Sequence, residues 1–268
     1  MVVRLTTGFI GAPLILALLY LGPPWGWAVF VAVAAAVGAV EFFGMTHPGD
    51  SVMRVLGVVM VLGAMATLWF FGASSAVLLT LIMAVPIVSM MLVLWRLGDI
   101  QTAALRVAST AFGVLYLGGG LGSIILLRRD SPGSDGPPYV VLALTLAWLS
   151  DTGAYFAGRF LGKHKLYPAV SPKKTVEGAL GGLCAGVLGA VVLSMFFLRT
   201  LPVVHAVVLA IVAGALGQAG DLGESLLKRS SGVKDSGGIV PGHGGILDRT
   251  DALLVTSTLT YLYVLWTR

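Results

Sequence analysis

The sequence predicts an all-α polytopic membrane protein of about nine transmembrane helices, with a cytoplasmic N-terminus and the C-terminus outside. Three observations predict it. Hydrophobic residues make up 57% of the 268 residues and charged residues 11%, whereas soluble globular domains run at roughly 45–50% and about 25%. Apolar runs of the length needed to cross a hydrocarbon core, about 20 residues, recur along the whole chain. Lysines and arginines fall between those runs with a strong bias to alternate loops, as expected when cytoplasmic loops collect positive charge.

In chain order, the expected spans are residues 7–22, 25–44, 53–72, 74–95, 106–127, 138–159, 176–198, 203–220 and 250–267, the first and eighth on the short side. Arg4 precedes the first run as in a signal peptide, but only Gly22-Pro23-Pro24-Trp25 comes after it, with no small-residue cleavage pattern, so the run reads as an uncleaved span. With the N-terminus inside, thirteen Lys and Arg lie on the cytoplasmic side, and only Arg128, Arg129, Arg199 and Arg268 lie opposite. Ten of the twelve acids, all but Asp130 and Asp135, also lie at or near the inner face. The positive-inside effect does not explain carboxylates, which points to chemistry at that face.

Residues 1–137 read as an N-terminal transmembrane scaffold of about five helices, and 138–268 as a catalytic region of about four. The latter carries two cytoplasmic segments, 159–175 and 221–250, while 128–138 (RRDSPGSDGPP) is a turn-rich external loop. The lone Cys184 excludes an internal disulfide and reads as packing. His47, His164 and His205 show no ligand spacing. Gly178, Gly182 and Gly186, interleaved with Gly181, Ala185 and Gly189, are small residues suited to close helix packing. The net charge of +5 sits between apolar segments, so it reads as orientation rather than as an interface for nucleic acid.

Four constellations carry charge into this apolar chain. In the run from Gln218 to Arg229 (QAGDLGESLLKR), a continuing helix places Gln218, Asp221, Glu224, Ser225 and Lys228 within a fan of roughly 120°. Asp221 lies there at membrane depth, where a carboxylate is costly unless paired, metal-bound or wet. It is either half of a structural ion pair or a functional group. Pro241-Gly242-His243-Gly244-Gly245 is a glycine-rich turn, an ordinary connection or an anion-binding nest. Asp248, Arg249 and Asp251 come next, at the start of the ninth helix, as dipole complements or as the hard oxygen ligands that Mg²⁺ prefers. Ser171-Pro172-Lys173-Lys174-Thr175 precedes the seventh span, as a positive-inside anchor or an anion site at a helix N-terminus. Finally, Asp151 lies inside an apolar helix with Tyr155 and Arg159 at successive i+4 steps, a satisfied network or a substrate contact.

Together, Ser225-Leu-Leu-Lys228-Arg229, Lys234-Asp235, the 241–245 turn and Asp248-Arg249-Thr250-Asp251 closely resemble the signature of bacterial phosphatidate cytidylyltransferases, also called CDP-diacylglycerol synthases. Asp221 in GDLGES, the SPKKT segment and Trp148-Leu-Ser-Asp-Thr-Gly-Ala-Tyr155 also look like elements of that family. The resemblance is specific over 148–251 and general before 140. It implies an integral enzyme of the bacterial inner membrane that makes CDP-diacylglycerol and pyrophosphate from CTP and phosphatidic acid at a cytoplasmic site, and it suggests a homodimer. It further implies a catalytic set of Asp221, Ser225, Lys228, Arg229 and Asp248, with Mg²⁺ held by Asp221, Asp248 and Asp251 and joined by a second ion such as K⁺. Ser171, Lys173, Lys174, Thr175, Lys234, Asp235, His243, Gly244, Gly245, Arg249 and Asp151 are the substrate-binding residues it implies. The chemistry suits them, because the lipid's phosphate monoester, with a second pKa near about 6, is largely dianionic at neutral pH and needs no general-base histidine. CTP-dependent kinases of lipid alcohols and archaeol-type cytidylyltransferases are the nearest alternatives. The Asp-Gly-x-x-Ala-Arg pattern of CDP-alcohol phosphotransferases is missing. A secondary transporter would show the internal repeat that this sequence lacks.

Overall fold

The computed structural model describes residues 2–72, 74–238 and 244–267, with side chains from residue 11 onward. His243, expected to bind substrate, and the adjoining Pro241 and Gly242 lie outside the described residues, as do Arg268 and the side chain of Arg4. Among the described residues the fold is all-α apart from one small hairpin. Its elements are α1 (Val2–Leu21), α2 (Pro24–Thr46), α3 (Ser51–Phe71), α4 (Ser75–Trp95), α5 (Ala103–Asp130), α6 (Gly136–Leu144), α7 (Ser150–Phe160), β1 (Lys165–Tyr167), β2 (Ser171–Thr175), α8 (Val176–Phe196), α9 (Val203–Ser230) and α10 (Leu247–Trp266). Among the described residues, seven helical segments are long and apolar enough to cross a membrane, against the nine spans expected. The described apolar part of α1 covers only Gly11–Leu21. In α10, Asp248, Arg249 and Asp251 and a run of threonines dilute the hydropathy. The eighth expected span is longer than 203–220: α9 continues to Ser230, so the first ten residues of the expected 221–250 segment are helical.

The chain divides into two compact units, one of Met1–Leu126 with Asp235–Asp248, the other of Leu127–Lys234 with Arg249–Arg268. In the first unit, α2 starts after Pro23 with Pro24 in its first turn, where the missing N–H costs nothing. Asp50 caps α3 by accepting from the Met53 N–H at 3.1 Å, and Ser74 caps α4 through the Val77 N–H. Phe42, Phe43, Met53, Val61, Val114 and Leu117 fill the core. By contrast α4 buries only Val85, Ser89 and Val93, an i, i+4 stripe, and leaves Leu79, Ile82, Met83, Ile87 and Met91 exposed. That much outward apolar surface is what a lipid-facing helix requires.

The connections of this unit are tied by polar groups. Asp50 forms ion pairs with Arg96 and Arg106, each at 3.2 Å. Its burial works against the charged form, but the Met53 N–H and the two guanidiniums outweigh it and hold the carboxyl below its ordinary range. His47 is 2% exposed and is bracketed by the hydroxyls of Thr46 (3.0 Å) and Thr110 (3.1 Å). Burial, reinforced by the Arg106 charge, keeps its imidazole below the usual pKa.

In the second unit, α6 passes into α7 through a π-helical turn at Thr145–Leu149. Such a turn carries an extra residue and rotates the helix beyond it; Asp151 stands just past it, in the first turn of α7. Helices α7 and α8 pack at backbone distance. A Cβ on Gly153 would lie 2.5 Å from the Ala185 Cβ, and one on Gly181 would lie 2.2 Å from the Ala157 Cβ. In the chain between these helices, residues 165–175 of the expected cytoplasmic segment 159–175 fold into the antiparallel β1–β2 hairpin, with Lys165 opposite Thr175 and Tyr167 opposite Ser171. Glu177 in the first turn of α8 grips its base, accepting from the Lys163 N–H at 3.0 Å and bonding His164 Nδ1 at 2.6 Å.

Candidate active site

The second unit contains a cleft of about 380 Å³ whose walls are built by α7, β2, α8 and α9. From α7 come Asp151, Tyr155 and Arg159, three positions on one helical face, with the Arg159 guanidinium donating to the Tyr155 hydroxyl at 2.8 Å. Strand β2 contributes Lys173, Lys174 and Thr175, and α9 contributes Gln218 and Asp221. The sequence-predicted residues Asp151, Lys173, Lys174, Thr175 and Asp221 therefore meet in one cavity. Ser171 lies at the start of β2, beyond its lining.

Pairing within the cleft sets the electrostatics. Lys174 Nζ forms an ion pair with Asp221 Oδ2. Asp151 lies within electrostatic reach of Asp221, Lys174 and Arg249, and Asp251 within reach of Asp221, Glu224 and Asp151. Carboxylates from α7, α9 and α10 thus share one neighbourhood, in which each is tolerable only near a cation. Thr175 turns inward: it is 8% exposed and its hydroxyl caps α8 by accepting from the Gly178 N–H at 3.1 Å. Gln218 donates to the Ala179 carbonyl at 3.0 Å, tying α9 to α8 beside the cleft.

The remaining predicted residues do not line the cleft. Lys228 is 8% exposed and pairs with Glu224 one turn earlier at 3.0 Å. Arg229 is exposed and donates to the Val233 carbonyl at 3.1 Å. Ser225 is half-buried, and Lys234 and Asp235 are exposed. Arg249 is exposed, and its carbonyl accepts from Trp148 Nε1 at 3.3 Å.

Asp248, Gly244 and Gly245 belong to the first unit. There Asp248 Oδ2 accepts from the Ser236 N–H (3.0 Å), the Ser236 hydroxyl (3.0 Å) and the Gly245 N–H (2.9 Å). Gly244 has φ +80°, a left-handed conformation that suits glycine, directly above that carboxylate. Beside them stands Glu41, absent from every motif, whose carboxylate accepts from the Ile246 N–H (3.1 Å), the Leu247 N–H (2.9 Å) and the Ser236 hydroxyl (3.1 Å). Its signal was available: a carboxylate inside the apolar run 25–44 is a functional candidate by position alone.

The chemistry of the donors suits a hard divalent cation. Among the described residues no three His, Cys, Asp or Glu side chains are gathered as a ready-made metal site. Mg²⁺, however, is held by one or two carboxylates with water and phosphate oxygens completing its shell. Asp221 and Asp251 provide two such carboxylates in one electrostatic neighbourhood, and Asp248 stands three residues before Asp251 in α10.

Comparison with known proteins shows which family this sequence resembles. A phosphatidate cytidylyltransferase of Brucella suis is 35% identical over 253 residues, 89% of this chain and 85% of that protein. Enzymes with the same name from Staphylococcus epidermidis and Bacillus subtilis are 46% identical over 134 residues and 44% identical over 126. Those matches cover 50% and 47% of this chain, and over them the chain spans about half the length of each relative, 52% and 47%. The sequence pattern of the cytidylyltransferase family matches residues 2–267, and this chain belongs to that family.

Proposed function

We propose that this chain is a phosphatidate cytidylyltransferase that makes CDP-diacylglycerol and pyrophosphate from CTP and phosphatidic acid. The observation that carries the reading is the cleft that gathers Asp151, Asp221, Lys173, Lys174 and Arg159, both signs of charge within one membrane-embedded unit. A phosphate oxygen of the lipid attacks the α-phosphorus of CTP, the new P–O bond forms, and the bond to the β-phosphate bridging oxygen breaks as pyrophosphate leaves. Because the nucleophile is already largely dianionic, the obstacle is the meeting of two polyanions. Lys173, Lys174 and Arg159 reduce that repulsion, and their fixed positions in β2 and α7 orient the phosphates for in-line attack.

Asp221 and Asp251 would hold Mg²⁺ within the second unit, alongside a second ion such as K⁺, and Asp248 has its part in binding the metal by the family resemblance alone. Mg²⁺ bound there would polarise the phosphoryl oxygens and neutralise the leaving pyrophosphate. Arg229, exposed in the last turn of α9, and Lys234, exposed just after that helix, receive the triphosphate; Lys228, charge-balanced by Glu224, completes that basic stretch, while the Gly244–Gly245 backbone approaches the nucleotide. Thirteen Lys and Arg against four support a cytoplasmic position for these segments, so CTP enters from the aqueous side and the lipid from the bilayer of a bacterial cytoplasmic membrane. By resemblance to the family, the working enzyme is proposed to be a homodimer.

The test is pyrophosphate release by purified, detergent-solubilised protein given CTP, phosphatidic acid and Mg²⁺, with EDTA and lipid-free controls. Lipid- and metal-dependent release with CDP-diacylglycerol formed is expected, and Asp221→Asn should lower turnover by about 10²-fold or more while the protein stays folded. CDP formation with an isoprenoid alcohol in place of pyrophosphate release would reassign the chain to the CTP-dependent lipid kinases.

A further inference from the structure

Glu41 lies in α2, surrounded in sequence by GAV and FFGM, and keeps 6% of its surface exposed. A carboxylate so placed is expensive unless its oxygens are hydrogen-bonded. Both are. The Ile246 and Leu247 N–H groups from which it accepts stand at the start of α10, where a negative charge is favoured. The third donor, the Ser236 hydroxyl, has one proton and shares it between Glu41 Oε2 at 3.1 Å and Asp248 Oδ2 at 3.0 Å. Glu41 therefore grips the signature segment on both sides, at 236 and at 246–247, and is one hydroxyl away from Asp248. Two glycines of the segment abut this carboxylate: a Cβ on Gly237 would lie 2.4 Å from Glu41 Oε1, and one on Gly245 would lie 2.5 Å from Oε2.

We infer that Glu41 is a positioning residue for nucleotidyl transfer, holding Asp248 and the Gly244–Gly245 backbone in their working geometry. The inference rests on the proposed role of Asp248 in that reaction. A side chain that only accepts is needed because all three partners are donors. An amide at this position would turn an N–H₂ toward at least one of them.

The test uses the full chain in detergent, with Glu41→Gln, Glu41→Asp, Ser236→Ala and Gly237→Ala. Three quantities are read: hydrogen–deuterium exchange of the 244–248 peptide without Mg²⁺ or CTP, the unfolding temperature, and kcat with the Mg²⁺ concentration at half-maximal rate. Glu41→Gln should accelerate exchange at Ile246 and Leu247, lower kcat by about 10- to 100-fold and raise the Mg²⁺ requirement, as loss of a group that orients a metal ligand does. Glu41→Asp, charged but a methylene shorter, should fall between it and wild type. Gly237→Ala should reproduce the Glu41→Gln profile although Glu41 is intact, because its Cβ displaces the carboxylate. Faster exchange with unchanged kcat and Mg²⁺ requirement would make Glu41 a clasp only and overturn the inference. If Glu41→Gln does not fold, Ser236→Ala and Gly237→Ala decide by the same criteria. Asp248→Asn separates the two levels: full turnover in that variant sinks the role of Asp248 and this inference together, whereas an inactive Asp248→Asn beside a fully active Glu41→Gln sinks this inference alone.

Discussion

Replacing Gly181 with alanine tests whether close packing of α7 on α8 sets the cleft. The added Cβ would lie 2.2 Å from the Ala157 Cβ and 3.3 Å from the Gly153 carbonyl oxygen. Carbon atoms pack best at about 3.5–4.0 Å, so the two helices must separate by roughly 1.5 Å. Overpacking of this kind costs about 1–3 kcal/mol, and the better helix propensity of alanine returns about 0.8–1.0 kcal/mol. Net stability should therefore fall by no more than about 2 kcal/mol. The same separation moves Asp151, Tyr155 and Arg159 on α7 away from Lys174 and Asp221, and a misplacement near 1 Å costs on the order of 10²-fold in rate. The expected result is a folded protein with CDP-diacylglycerol formation reduced by about 10²-fold, measured with the unfolding temperature in the same detergent. Gly63→Ala, where an added Cβ meets nothing within 4 Å, serves as the control. Wild-type kcat in folded Gly181→Ala, or a loss no larger than the unfolded fraction, would refute the reasoning.

Two further predictions concern stability. Thr175→Ala removes the cap on the Gly178 N–H and should cost about 1 kcal/mol, lowering the unfolding temperature by roughly 2–4 °C, while Thr175→Ser keeps the bond; equal melting of wild type and Thr175→Ala would exclude the cap. His47 is held neutral by burial and by Arg106, so its folded pKa lies below the unfolded value near about 6.5. As pH falls the unfolded chain takes up this proton first, so the stabilisation is fully present above about 6.5 and is lost as pH drops through the folded value. The unfolding temperature should therefore decline between pH 7 and 5 in wild type and more shallowly in His47→Gln; parallel curves would contradict the assignment.

The candidate site was legible in part because charge in an apolar chain is conspicuous. Asp151, Lys173, Lys174 and Asp221 could each be singled out from local context, and the cleft gathers all four. Their pairing could not be read in the same way. Lys174 and Asp221 are separated by 47 positions, and nothing in either neighbourhood names the other. Thr175 illustrates the converse: its place beside two lysines suggested an anion contact, and the fold uses its hydroxyl as a helix cap. Glu41 lay in a region read as scaffold because it has no charged neighbours in sequence; its partners Ile246 and Leu247 are 205 and 206 positions away.

The sequence by itself determined the solvent, the all-α class and the approximate positions of the helices, because the cost of placing charge or unsatisfied backbone in hydrocarbon acts residue by residue. It also determined the chemistry available, a set of hard carboxylates interleaved with lysine and arginine. Only the tertiary structure decided that α9 runs on to Ser230, that 165–175 folds into a hairpin, and that residues 235–248 join the first unit while Asp221 and Asp251 belong to the second. The physical reason is that these outcomes depend on which distant groups satisfy one another's charge and hydrogen bonds, and such pairing leaves no period or spacing along the chain.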